Sequence, residues 1–353
     1  MKDKQKLTMA IRLCTFLVLL AAPLSLMAAE GEKTVKYETG FYYTVQKGDT
    51  LWDLSQKFSD TPWQWPELWK ENNQIANPHR IYPGERIRLY RRRGAHGSGE
   101  GSQGGQGGQG GKRPVEDGLV MTKMLDFQYA SIERVGFIRK EPVSSHGTIF
   151  KVEGRKEMIS TGDLVYIRPA KDFSFEPGNK YTIYRTLKPI KNRQTNKFIG
   201  IQHLLAGAVE ITLKRPEFVL GRVVAAYRPI KIGDLLMPFH RRLPQIQIQD
   251  SPQGLQGQII DDEEHTAMFA ESAIAFIDRG EQEGVVPGQL YWVYKQEKYR
   301  INPEDKYDVT LTPVLLGELL VLHTEKTTAT VIITDSRQAI HAGDKIAAPF
   351  KLE

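Results

Sequence analysis

Side-chain catalysis needs an activated nucleophile, a matched acid and base, or a metal cage. The chain offers few of these at a workable spacing. Its single cysteine, Cys14, lies in the N-terminal apolar run. A chain that loses this run has no thiolate. That excludes disulfides, Cys-ligated zinc, and the Cys-dependent peptidases and L,D-transpeptidases. The eight histidines, at positions 79, 96, 146, 203, 240, 265, 323 and 341, form neither an HxH nor an HExxH pair. There is no G-x-S-x-G elbow. The densest acidic group is Asp261, Asp262, Glu263 and Glu264, followed by His265. Four adjacent carboxylates beside a Gln-rich connector read as solvated surface, not as a catalytic pair. The expectation is a protein that is not an enzyme, with no metal site and no cofactor.

The sharpest pattern lies in residues 43–89. Tyr43, Thr44 and Val45 read as a strand, and Gly48-Asp49 as a turn. Thr50 with Asp53 makes a capping-box-like start for a helix running to Phe58, with Leu51, Leu54 and Phe58 on one face. Pro66 suits the first turn of a second helix ending at Asn72 or Asn73. Asn77-Pro78 and Tyr82-Pro83-Gly84 are turns. Residues 86–89 form a closing strand with Ile87 and Leu89 inward. The order is βααβ with the two strands paired. Trp52 and Trp69 are expected in the core, and Trp63 and Trp65 are the candidates for exposed aromatics. The basic run of Arg86, Arg88 and Arg91–Arg93 reads as a solvated flank.

These residues resemble a LysM domain: the Tyr43–Val45 strand, Gly48-Asp49-Thr50-Leu51-Trp52, Phe58, Asn72, Asn77-Pro78 and Ile81-Tyr82-Pro83-Gly84. The loop 59–65 is longer than the family's usual inter-helix turn. The resemblance implies binding to N-acetylglucosamine-containing glycan, chiefly peptidoglycan. It places the groove between Gly48, Asp49, Thr50 and Leu51 on one side and Asn77, Pro78, Ile81 and Tyr82 on the other. Leu51 and Ile81 would supply the apolar wall for the acetamido methyl. Gly48 and Asp49 also have structural readings, as a turn glycine and a helix cap.

Around this module the chain divides by composition. Residues 1–29 have a basic start, an apolar run and a small-residue exit, the order of a signal peptide, which implies export to the periplasm and association with the cell wall. The LysM-like unit spans 40–92. Residues 93–114 are Gly- and Gln-rich and read as a flexible leash with a reach of roughly 25–30 Å. Residues 115–240 and 261–353 read as two β-rich modules joined by a connector, 241–260. They are copies of one unit, because a shift of 110 residues superposes Pro177-Gly178 on Pro287-Gly288, Tyr181 on Tyr291, Tyr184 on Tyr294, and Gly233-Asp234 on Gly343-Asp344. The fold class is therefore α+β: a small βααβ module, then a β-rich region of two repeats. The net charge of +6 falls to +3 once the +3 of residues 1–29 is removed, too weak a bias for nucleic acid.

The whole arrangement resembles the type IV pilus secretin-associated protein family, in which a LysM module precedes a region similar to the C-terminal domain of flagellar assembly protein T. That resemblance implies a non-enzymatic wall tether for an outer-membrane secretin, arranged as a homo-oligomeric ring. The alternative is a wall-targeted peptidoglycan hydrolase, or an accessory factor that regulates one.

Overall fold

The computed structural model describes residues 38–59, 61–89, 125–154, 156, 158–192, 195–301 and 307–349. The signal-like stretch 1–29, the leash 93–114 and Arg91–Arg93 lie outside the described residues.

The first strand, β1, is Gly40–Thr44. It leads through the Gly48 turn into α1, Leu51–Phe58, and then α2, Trp65–Lys70, and β2, Arg86–Arg88. Thr50 caps α1: its hydroxyl oxygen accepts from the Asp53 N–H at 3.1 Å. Tyr43, Val45, Leu51, Leu54, Leu68, Ile75 and Ile87 form the core of this unit. Buried Asn72 locks α2 to β2. Its Nδ2 donates to the carbonyls of Leu68 and Arg88 at 2.7 and 2.9 Å, and its Oδ1 accepts from the Arg88 N–H at 2.7 Å. The second helix stops at Lys70, short of the expected Asn72, because the Asn72 side chain takes up backbone groups that a continuing helix would need free.

β1 begins three residues earlier than the local pattern suggests. The reason is a partner far away in sequence. β3, Leu125–Gln128, pairs antiparallel with Gly40–Tyr43, while β2 pairs on the other edge of β1. β11, Gln245–Gln247, adds to β3, so the sheet order is β11-β3-β1-β2. Phe41 meets Phe127 edge-on at 4.9 Å between centroids. Arg86 ion-pairs with Asp126, with side chains only 13% and 6% exposed, and its guanidinium lies 4.8 Å over the Tyr42 ring. The expected solvated flank is thus corrected at Arg86, whose guanidinium is nearly buried against Asp126. The small module is sewn to the β-rich body through a shared sheet, and Arg86 is one of the stitches.

The body is two six-stranded antiparallel barrels. The first uses β5 (Gly147–Val152), β6 (Leu164–Pro169), β7 (Lys180–Lys191), β8 (Phe198–Lys214), β9 (Val219–Ala226) and β10 (Leu235–Pro238). They pair in the ring β5-β6-β9-β8-β7-β10, which the β8–β9 pairing closes, and β4, Phe137–Arg139, lies on the outer edge of β8. The second uses β12 (Gln256–Asp262), β13 (Ile274–Ile277), β14 (Leu290–Lys295), β17 (Val314–Thr324), β18 (Ala329–Ser336) and β19 (Lys345–Ala347). Its ring order is β12-β13-β18-β17-β14-β19, strand for strand the same. Between β14 and β17 stands a small hairpin, β15 (Lys298–Tyr299) and β16 (Val309–Thr310).

The two cores correspond residue by residue at the 110-residue shift. Ile149, Val165, Tyr181, Val209, Ile230 and Leu236 fill the first barrel, and Ile259, Ala275, Tyr291, Leu319, Ile340 and Ile346 fill the second. β12 starts inside the stretch expected as a connector. Only residues 43–89 carry α-helix among the described residues, so the α+β expectation fits roughly, and the molecule is mostly β.

The acidic group departs most from expectation. Asp261, Asp262 and Glu263 are buried. Glu263 accepts from the Gly136 N–H at 3.0 Å and ion-pairs with Arg228, and Asp262 accepts from the Thr266 N–H and hydroxyl at 2.6 and 2.9 Å. Asp261 faces the His265 Nδ1 at 3.0 Å. Burial pushes the Glu263 carboxyl above its ordinary range, with Arg228 opposing. Glu263 reaches across to Gly136 and Arg228 ahead of and within the first module, while Asp261 and Asp262 hold the local 261–266 turn. The solvated-surface expectation thus holds for Glu264, which is exposed, and is corrected for Asp261, Asp262 and Glu263.

Candidate glycan-binding site

Two loops at one end of residues 43–89 carry the expected groove residues. They are held near each other by the strand between them. Val45 donates to the Glu85 carbonyl at 2.9 Å, and its own carbonyl accepts from the Gly84 N–H at 2.9 Å. The Tyr82 side of the second loop is thereby stitched beside the chain that enters the Gly48 turn.

In the first loop, Gly48 has φ +96°, which permits the turn. Asp49 accepts from the Gln46 N–H at 2.7 Å and the Tyr43 hydroxyl at 2.9 Å. The same three-residue reach recurs at Ser160–Asp163, Lys231–Asp234 and His341–Asp344, with N–H to carboxylate distances of 2.9, 2.8 and 2.7 Å. Asp49 is therefore a turn carboxylate and does not cap the helix. The cap is Thr50, whose hydroxyl also donates to the Asp53 Oδ2 at 2.6 Å. Thr50 is exposed. Leu51 is only 2% exposed and belongs to the core, so its side chain does not supply the expected apolar wall.

In the second loop, Asn77 is exposed, and its Oδ1 accepts from the His79 N–H at 2.9 Å. Its Nδ2 points the other way along the amide as a donor. Pro78 and Ile81 are half-buried, and Ile81 packs on the module's core. Tyr82 is exposed, with its backbone N–H fixed on the Glu85 carboxylate at 3.0 Å. The two loops together offer small exposed polar groups beside Pro78, Ile81 and Tyr82. That is the mixture a sugar with an acetamido group requires.

The tryptophans sort differently from expectation. Trp69 is half-buried, and its Nε1 donates to the Ile75 carbonyl at 2.7 Å. Trp65 is half-buried on the same core, with His79 at 6.0 Å. Trp63 is 75% exposed, and Trp52 stands edge-on to it at 4.9 Å, also exposed. The signal for Trp52 was present in the sequence. It follows Leu51 by one residue, about 100° around the helix from the apolar face. The Trp52–Trp63 pair is a further aromatic surface of the kind sugars stack on.

Elsewhere, a cavity of about 540 Å³ opens where the barrels meet, lined by Arg139, His146, Arg242, His323 and Glu325 among others. Glu325 is shared by Arg139 at 2.6 Å and His323 at 3.1 Å, so these charged groups serve one another. Among the described residues no cluster of three or more His, Asp or Glu side chains is arranged to hold a metal.

Residues 43–89 match the model of the LysM domain. A segment of the chain is 40% identical over 57 residues to the uncharacterized protein YqbP of Bacillus subtilis (strain 168), a match covering 13% of this chain and 26% of that protein. The chain thus spans about a quarter of the length of that relative. Residues 43–89 are a LysM domain, a module that binds N-acetylglucosamine-containing glycans such as peptidoglycan and is not itself catalytic.

Proposed function

We propose that this protein is a non-enzymatic wall anchor of the cell envelope, exported to the periplasm. Its LysM groove, formed by the Gly48–Leu51 and Asn77–Tyr82 loops, grips the glycan of peptidoglycan. The two-barrel body, fixed to that module through β1 and β3, presents the wall-bound end to an envelope machine, with the type IV pilus secretin as the partner proposed first. The observation that carries this reading is the LysM domain itself, with Thr50 and Asn77 exposed on neighbouring loops. A docked body, unlike a leashed one, transmits a pull on the barrels directly to the wall. Nucleic acid has no place in this function.

The test is co-sedimentation of the purified protein with sacculi, with zymography on the same material. Wild type pellets without clearing the sacculi, and Asn77→Ala pellets less. Wild-type protein that remains in the supernatant overturns the anchor, and clearing overturns the non-enzymatic reading. Recovery of the outer-membrane secretin on the immobilised protein tests the partner.

A further inference from the structure

The cavity of about 540 Å³ lies between the outer side of the first barrel and the end of β17 in the second. Leu205 of β8 and Met237 of β10 line it, turned away from the barrel core that their neighbours Ala206 and Leu236 fill. Phe137 of β4 packs with them and completes an apolar wall. The second barrel contributes His323 and Glu325. Among the lining residues Ser144 and His240 are exposed, so the cavity opens to solvent on their side. Its volume falls within the range of small-ligand pockets, about 300–1,000 Å³.

Four side chains that carry a full charge at neutral pH reach this apolar space, and three of them have strong partners. Glu325 takes Arg139 at 2.6 Å and faces His323 at 3.1 Å. Glu133 accepts from the Tyr227 hydroxyl at 2.9 Å. Arg242 is the exception. One of its Nη atoms donates to the carbonyls of Val135 and Ile132 at 2.7 and 3.5 Å, and among the described residues no carboxylate comes within salt-bridge distance of it. Burial pulls the guanidinium below its ordinary value, and Glu325 and Glu133 oppose that shift from farther off. Arginine stays charged all the same. A cation held partly out of water with only neutral acceptors carries a desolvation cost that an anion would offset. The planar fork of N–H donors fits a carboxylate, which can take two of them at once.

We propose that this cavity binds an ionised carboxylic acid with an apolar body, the carboxylate on Arg242 and the body against Phe137, Leu205 and Met237. A single negative charge is specified because Glu133 and Glu325 stand in the same wall and would repel a second. Two sources present these groups: a free small acid, and the C-terminal residue of a protein chain whose last side chain is apolar. The inference rests on the cavity and not on the LysM groove, so loss of wall binding leaves it standing.

The test is isothermal titration calorimetry on the purified full chain near neutral pH, with 3-phenylpropionate as the probe. Wild type binds it with a dissociation constant of about 0.1–1 mM, the strength expected for so small a ligand. The uncharged 3-phenylpropionamide keeps the ring and loses the carboxylate, and it binds at least about tenfold more weakly. Arg242→Gln weakens binding of the acid by a similar factor. Ser144→Trp narrows the opening while leaving Arg242 in place, and it also weakens binding; it carries the test if a circular dichroism melt shows Arg242→Gln to be unfolded. The peptide N-acetyl-Gly-Gly-Phe with a free carboxylate separates the sources. Binding at least as tight as that of the small acid, and lost in the C-terminal amide, assigns the site to a chain terminus. Exclusion of the peptide while the small acid binds assigns it to a free acid. Absence of binding by both acids at millimolar concentration, an amide as tight as the acid, or binding indifferent to the variants overturns the proposal.

Discussion

Removing the Asp126 carboxylate tests the seam between the LysM domain and the barrels. Asp126 is 6% exposed and Arg86 13%, so Asp126→Ala leaves a guanidinium almost out of water without its main partner. Stranding one member of a buried pair costs about 3–5 kcal/mol. Two features reduce that figure here. Gln128 offers its Oε1 to Arg86 at 3.4 Å, and the chain can relieve the charge by opening β1 from β3, since most of the LysM core is internal to that domain. The expected penalty is about 2–3 kcal/mol, a 30- to 150-fold rise in the opening of this seam. Hydrogen exchange reads it directly: the amides of residues 40–43 and 125–128 exchange faster, while those of α1 and of the second barrel do not. The double variant Arg86→Met with Asp126→Leu removes both charges and returns to within about 1 kcal/mol of wild type. Unchanged exchange at the seam, or a double variant as impaired as the single one, refutes the reasoning.

Thr50→Ala lowers the thermal stability of the LysM domain by about 1 kcal/mol through loss of the α1 cap, whereas Thr50→Ser preserves it, so sacculus binding by the serine variant separates glycan contact from folding. Trp63→Ala reduces sacculus binding with no change in melting temperature, because the ring is largely in solvent, while Leu51→Ala costs about 2–5 kcal/mol of stability as a core truncation. Gly288 has φ +95°, and an added Cβ would lie 2.0 Å from the Gln247 carbonyl, whereas Gly178 has φ +88° and open space. Gly178→Ala therefore costs about 1–2 kcal/mol in a denaturant melt, and Gly288→Ala costs distinctly more, although the two glycines occupy the same turn of the repeat. His203 Nε2 accepts from the Val143 N–H at 3.0 Å, and burial holds the imidazole below its ordinary value of 6.5. A depressed value means the contribution is present above pH 6.5 and lost as pH falls through the folded value. The melting temperature thus drops from pH 7 to 5, and less steeply in His203→Gln; equal slopes would exclude His203 as the source.

The repeat was legible because the same turn chemistry and inward positions recur at one fixed spacing, so Tyr181 and Tyr291, or Leu236 and Ile346, report the same place in two barrels. The start of α1 was equally legible, since a cap needs only Thr50 and the amide three residues on. Three of the four acidic residues, Asp261, Asp262 and Glu263, depart from the expected solvated surface for a physical reason. Whether Glu263 is solvated or buried depends on Gly136 and Arg228, and no local pattern brings those together. Leu51 was assigned to the groove by its position in a motif, while its side chain follows the helix face into the core.

Local chemistry thus determined the LysM turns and caps, the strand rhythm of the body and its duplication, because each depends on residues a few positions apart or on a spacing repeated along the chain. The partner of β1, the packing of Ile138 and Ile190 on Ile260 and Phe276, and the burial of Asp261, Asp262 and Glu263 were decided by tertiary structure alone. Strand edges and outward apolar faces specify that something must cover them. Which segment does so depends on where the barrels bring Asp126 and Phe276, and that is a property of the folded whole.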